Sequence, residues 1–263
     1  MRSLAFAALL CAALCSAVPA PADGDALPLS AAEVAARWHG RLARRHFNAR
    51  VRMHMDLGGL REERRLRVFR DDEDGRGERV LVRFDAPADL RNVGLLYLAH
   101  ADRPNDYFLY QPEIRRIRRL PQSVANDDVY GIDLEFLGFG VAQTVPTTLE
   151  SLTREKLGGR SVWKLVESAR EPNPRFETRR TWIDPASWAP LRTEHLRGAR
   201  VVLVAETLEL AEVQGVATPR RVRFAKPIEK REVQLEVDSV DYEAPIPEEY
   251  FSALALLRAA TPE

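Results

Sequence analysis

Cysteine stops at position 15. The chain has two, Cys11 and Cys15, and residues 23–263 contain none. No disulfide can staple that stretch, and neither a thiol nucleophile nor a thiolate metal site can form in it. Lysine is scarce as well: Lys156, Lys164, Lys226 and Lys230 stand against 35 Arg, a bias read first as genome composition. Net charge is zero, with 39 basic and 39 acidic residues and a pI near 7.0, which argues against a nucleic-acid binder with its basic footprint. After Cys15 no apolar run approaches the roughly 18 residues of a membrane span. His-Glu-x-x-His and Gly-x-Ser-x-Gly are both missing, so neither a zinc site nor a hydrolase elbow is expected. No linker, repeat or low-complexity run divides the chain.

What is present is ample for a globular fold. With 263 residues, 45% apolar and 30% charged, the chain can bury its own core. Met1-Arg2 followed by apolar Leu4 to Cys15 has the proportions of a signal peptide, and Ala20-Pro21-Ala22 supplies a small-x-small cleavage pattern. Ser16-Ala17 is a second candidate cut. Leu10 and Leu14 precede the cysteines where a lipoprotein signal needs a small residue, so lipidation is not expected. Residues 1–22 are thus expected to leave near Ala22, and 23–263 to form one exported, periplasmic domain.

Ser30-Ala-Ala-Glu33 is a capping box, opening a helix in which Val34, Trp38 and Leu42 recur at helical spacing, with Arg44-Arg45 suited to its C-terminal end. The period then changes to two. Val51 to Leu57 alternates, Gly58-Gly59 turns, and Leu60 to Arg70 returns. Asp71 to Gly75 reads as an acidic hairpin tip, since the ligand order of a calcium loop is missing. Some ten or more strands follow in succession, interrupted at the less periodic Asp127–Gly140. Pro247 begins a final helix over Tyr250–Leu257. The fold class predicted is mainly β: one curved antiparallel sheet, an incomplete barrel, covered by flanking helices.

One strand face is apolar, while the other carries Arg52, Arg65, Arg67, Arg83, Arg223, Glu232 and Glu236. A sheet wetted on one face must cover the other or close on itself. Too few helices are available to cover so long a meander, so a strongly curved sheet is expected. Its interior is either filled by side chains or left as an apolar hollow for a lipophilic ligand; alternation leaves both open.

Residues 79–138 resemble the LolA-like outer-membrane lipoprotein-sorting family. The resemblance is carried by Arg83-Phe-Asp-Ala-Pro-Ala-Asp-Leu-Arg91, Gly94-Leu-Leu-Tyr97, Tyr110-Gln-Pro-Glu-Ile-Arg115-Arg116-Ile-Arg118-Arg119 and Gly131-Ile-Asp133, with Pro247 to Phe251 in agreement. It implies a half-barrel whose hollow shields acyl chains of a lipid or lipoprotein, with an inner-membrane transporter or outer-membrane acceptor as partner. The cavity lining expected is Met53 and Met55; Leu66 and Val68; Val82 and Phe84; Leu95 and Tyr97; Phe108 and Tyr110; Val222, Phe224 and Leu235. Arg115, Arg116, Arg118 and Arg119 are candidates for a head-group or partner contact, because guanidinium forks match phosphate and carboxylate oxygens. No cofactor, metal or catalytic residue is expected, and the protein is expected to be a monomer. Asp133 and Glu135 form a carboxylate pair without any accompanying hydrolase motif.

Overall fold

The computed structural model describes residues 29–43, 45–57, 59–72, 77–121 and 145–258. The expected signal peptide and its cleavage site, Arg44, Asp74, and the stretch holding Gly131, Asp133 and Glu135 lie outside them.

Helix α1 (Ala31–Gly40) begins where the capping box places it. Ser30 Oγ accepts the Glu33 N–H at 3.2 Å, and Glu33 Oε2 accepts the Ser30 N–H at 2.8 Å. Among the described residues thirteen strands then follow: β1 (Phe47–Leu57), β2 (Arg61–Asp71), β3 (Arg79–Ala86), β4 (Gly94–Leu98), β5 (Asp106–Gln111), β6 (Arg116–Leu120), β7 (Thr147–Leu157), β8 (Arg160–Ala169), β9 (Thr178–Ile183), β10 (Pro190–Arg197), β11 (Arg200–Val213), β12 (Val216–Lys226) and β13 (Arg231–Asp241). They form one sheet in the order β6-β5-β4-β3-β2-β1-β13-β12-β11-β10-β9-β8-β7. The chain starts mid-sheet, walks to one edge, resumes at the other and returns to pair β13 with β1, Met53 opposite Leu235. Among the described residues the curved sheet does not close: β6 and β7 are its two edges.

Turn chemistry enforces the hairpins. Gly158-Gly159 and Gln214-Gly215 adopt positive φ at both central positions, as a two-residue turn matching strand twist requires.

Width is what shapes the interior. Thirteen strands about 4.8 Å apart make a ribbon about 60 Å across, whereas a helix is about 10–12 Å thick. Helix α1 therefore covers only part of the inner face, packing Val34, Ala35 and Trp38 on Trp163, Leu165 and Ile183. A second inner cluster forms over β1–β5 and β12–β13, around Phe47, Met53, Leu66, Val82, Phe84, Phe224 and Leu235. Arg70 ties the two regions. Its buried guanidinium donates to the carbonyls of Leu42 (3.0 Å) and Arg45 (2.8 Å) after the helix, and to Glu78 (2.6 Å).

The C-terminal helix expected over Tyr250–Leu257 is instead two 3-10 segments, Glu248–Phe251 and Ala253–Leu257. Ser252 stands between them in extended conformation and caps the second, its Oγ accepting the Ala255 N–H at 3.2 Å. The segments lie on the outer face of β3–β6, burying Phe251 and Leu256 against Leu81, Leu96 and Tyr110. Arg83, expected on a wetted face, is therefore buried, and donates to the carbonyls of Ala255 and Asn92. Burial, reinforced by the Arg67 cation, brings the Arg83 guanidinium down to about 10. Gly94 permits this close approach, since a Cβ there would stand 2.8 Å from Leu256 Cδ2. Gly94→Val is expected to lift the segment and cost about 1–3 kcal/mol, read as a lowered midpoint in urea unfolding.

Candidate functional site

Between the patch under α1 and the second inner cluster the described residues leave a gap on the inner face, bordered by Phe224, Leu235 and Val237 of the cluster itself. A partly open hollow of about 70 Å³ lies there, lined mainly by β10–β13 and capped by Trp38 of α1. Leu203 and Ala205 come from β11, Val222 and Phe224 from β12, Leu235 and Val237 from β13. Its walls are mainly apolar with a few polar groups at one end, the kind that ligand sites use.

Polar groups gather at one end. Arg179 on β9 stands directly across the ladder from Glu167 on β8, and both are buried. The Arg179 Nε donates to Glu167 Oε2 at 2.9 Å, while the Thr147 hydroxyl donates to Oε1 at 2.8 Å. The guanidinium is held between two rings, 5.2 Å from Trp38 and 5.4 Å from Phe176. Cation–π contact and a carboxylate together compensate a charge that burial would otherwise penalise. His195 lines the hollow beside this pair and stacks on Phe176 at 4.6 Å.

His39, next to Trp38, is the titratable group most perturbed by this end. Burial, reinforced by the Arg179 cation, holds its imidazole down to about 3. Below about 6.5 the unfolded chain takes up a proton that the folded chain refuses. This contribution to stability is complete above about 6.5 and is lost as pH falls toward 3, at up to about 1 kcal/mol per pH unit. Replacing His39 with Gln is expected to flatten the fall in urea-unfolding free energy between about pH 6.5 and 4.5 relative to the unsubstituted chain.

Of the lining expected from the sequence, Val222, Phe224 and Leu235 face the hollow. Met53, Met55, Leu66 and Val68 lie in the packed cluster beside it, as do Val82, Phe84, Leu95 and Tyr97. Phe108 and Tyr110 are on the other face, against the C-terminal segments; Tyr107 and Leu109 take the inner positions on β5. The reason is local: β3–β5 are covered on both faces, so nearly every residue is apolar and alternation no longer marks the inside. Trp38, Leu203, Ala205 and Val237 escaped the expected lining.

The four candidate arginines do not form one patch. Arg115 sits in a left-handed turn at φ +47°, and β6 alternation divides the others. Ile117 packs on the outer cluster, which puts Arg119 on that side and Arg116 and Arg118 on the opposite one. Arg119 pairs with Asp106, which also accepts from His100 (2.9 Å) and Arg103 (2.8 Å). Burial pushes the Asp106 carboxyl up, but hydrogen bonds from those three partners outweigh it and hold the group below its ordinary value. Among the described residues no group of three or more His, Cys, Asp or Glu is placed to hold a metal ion, and no helix is long and apolar enough to cross a membrane.

An unclosed antiparallel ribbon around a partly covered apolar hollow defines the LolA-like half-barrel class. An outer membrane lipoprotein-sorting protein domain from Vibrio parahaemolyticus superposes with a TM-score of 0.76 at 19% identity, over 87% of this chain and 100% of that one. A DUF1329 family protein from Desulfovibrio piger does so with a TM-score of 0.77 at 17% identity, over 86% and 97%. A LolA superfamily protein from Nitrosomonas europaea follows with 0.64 at 13%, over 85% and 98%. No curated protein matches the chain by sequence. The chain belongs to the family whose model matches residues 76–258, described as uncharacterized proteins.

Proposed function

We infer that this chain is a periplasmic carrier that holds the acyl chains of a lipid or lipoprotein non-covalently and acts as a binding protein rather than an enzyme. The observation that carries the reading is the hollow itself, apolar on three strands and left open where α1, among the described residues, does not span the sheet. Each methylene of an acyl tail that the hollow takes in contributes about 0.8 kcal/mol before the cost of ordering the tail. Release then requires a partner with a better site, such as an envelope transporter or an outer-membrane acceptor. The sorting function in the name of the Vibrio relative supports the same reading.

The test is mass spectrometry of an organic extract from protein isolated natively from the cell envelope. A near-stoichiometric acyl lipid is expected. Lipid-free protein that also fails to take up a fluorescent fatty acid contradicts the reading.

A second reading, a protein-docking module, is favoured by β6. It is an edge strand with exposed Arg116 and Arg118, and among the described residues it pairs only with β5. Periplasmic crosslinking should then trap one partner, with a yield that drops for Arg116→Glu/Arg118→Glu; an unchanged yield removes this version.

A further inference from the structure

The outer face over β1, β2, β3 and β13 carries a second depression, a groove of about 720 Å³ open to solvent. Its charged lining is Arg50, Arg65, Arg67, Arg91, Asp85 and Asp238. The strand register explains why cations crowd here. Arg50 stands directly opposite Arg67, Arg67 opposite Arg83, and Arg52 opposite Arg65. Like charges facing across a ladder destabilise it, whereas Arg223 and Glu206 farther along the sheet are opposed with opposite sign at 2.8 Å.

Three members of the cluster are compensated internally. Asp85 clamps Arg67 with contacts of 2.9 and 3.1 Å, Asp238 holds Arg52 at 2.8 Å, and Arg83 is spent on backbone carbonyls. Arg50, Arg65 and Arg91 are exposed and make no ion pair among the described residues. Two β-bulges coincide with them, at Arg50/Val51 against β13 and at Arg65/Leu66 against β3. Bulges re-aim side chains and are over-represented beside binding sites.

We propose that this groove is an anion site for a phosphate-class oxyanion, bound by Arg50, Arg65 and Arg91. Four guanidiniums against two carboxylates leave two net positive charges in the lining, which matches the roughly −1.5 to −2 of a phosphate monoester at neutral pH. Guanidinium forks present paired donors to such oxygens, and three unpaired forks around one groove can each engage a different oxygen. A bound phosphate also relieves the cross-strand repulsion. The site lies on the opposite face of the sheet from the hollow, so it stands or falls independently of acyl binding.

Two probes distinguish the source of the phosphate. Inorganic phosphate is titrated calorimetrically at low ionic strength, and vesicles of phosphatidylglycerol in phosphatidylcholine are tested by flotation. In Arg50→Gln/Arg65→Gln/Arg91→Gln the affinity for the probe is expected to fall about tenfold or more. The charge-matched Arg160→Gln/Arg197→Gln/Arg200→Gln variant should keep it. Thermal unfolding of the first triple variant should occur no lower than for the unsubstituted protein, because repulsion is removed. Binding of inorganic phosphate that this variant loses supports a soluble phosphate ligand. Vesicle binding that it loses, without binding of the free ion, supports a lipid head group. Absence of both interactions, or equal loss in the charge-matched variant, overturns the site.

Discussion

Glu167→Ala is expected to cost about 3–5 kcal/mol of folding free energy. The carboxylate is 1% exposed, and its removal leaves the Arg179 guanidinium, 4% exposed, buried without its counter-ion. Desolvation of a lone cation is the expensive outcome; the ion pair itself need contribute little. Replacing both partners with apolar residues, Glu167→Leu with Arg179→Met, should therefore recover most of the loss. Urea unfolding of the two single variants and the double variant forms a cycle that isolates this coupling. The effect also bears on function. Arg179 is a wall of the hollow and the platform beneath Trp38, so the single variant should loosen α1 over the site.

Ala205→Trp is expected to weaken acyl-chain binding by about 100-fold while leaving the sheet intact. Ala205 lies on β11 opposite Phe224 and lines the hollow, so an indole grown from it enters unfilled space. If the ring excludes three or four methylenes at about 0.8 kcal/mol each, the loss is about 2.4–3.2 kcal/mol, close to two decades in affinity. Titration with a fluorescent fatty acid reads the affinity, and circular dichroism checks the fold. An unchanged affinity in a folded variant places binding outside the hollow.

Much of the sheet was legible in the sequence because alternation is a local signal. Val51 to Leu57 and Val233 to Val240 announce β1 and β13 without help from the rest of the chain, and Ser30 with Glu33 announces the start of α1. That β1 and β13 are partners is not a local fact. It follows from the chain leaving mid-sheet and returning from the far edge, which no short-range pattern encodes.

The hollow was harder to place for a related reason. Met53, Met55, Leu66 and Val68 show the cleanest apolar pattern because their strands pack fully, and full packing is what removes the space. The open region lies where Pro190, Thr193, Thr207 and Pro219 interrupt the pattern. Phe108, Tyr110 and Arg83 misled for the opposite cause. Local alternation does not show that a segment more than a hundred residues downstream covers their outer face.

Carriage in the half-barrel requires an apolar tail to enter between α1 and strands β11–β13. Photolabelling with a diazirine fatty acid, followed by peptide mapping, tests this location most directly. Label is expected on Leu203–Thr207, Val222–Phe224 and Leu235–Val237, and it should diminish when an unlabelled fatty acid competes. Competable label confined to other strands, or no competable label at all, contradicts it.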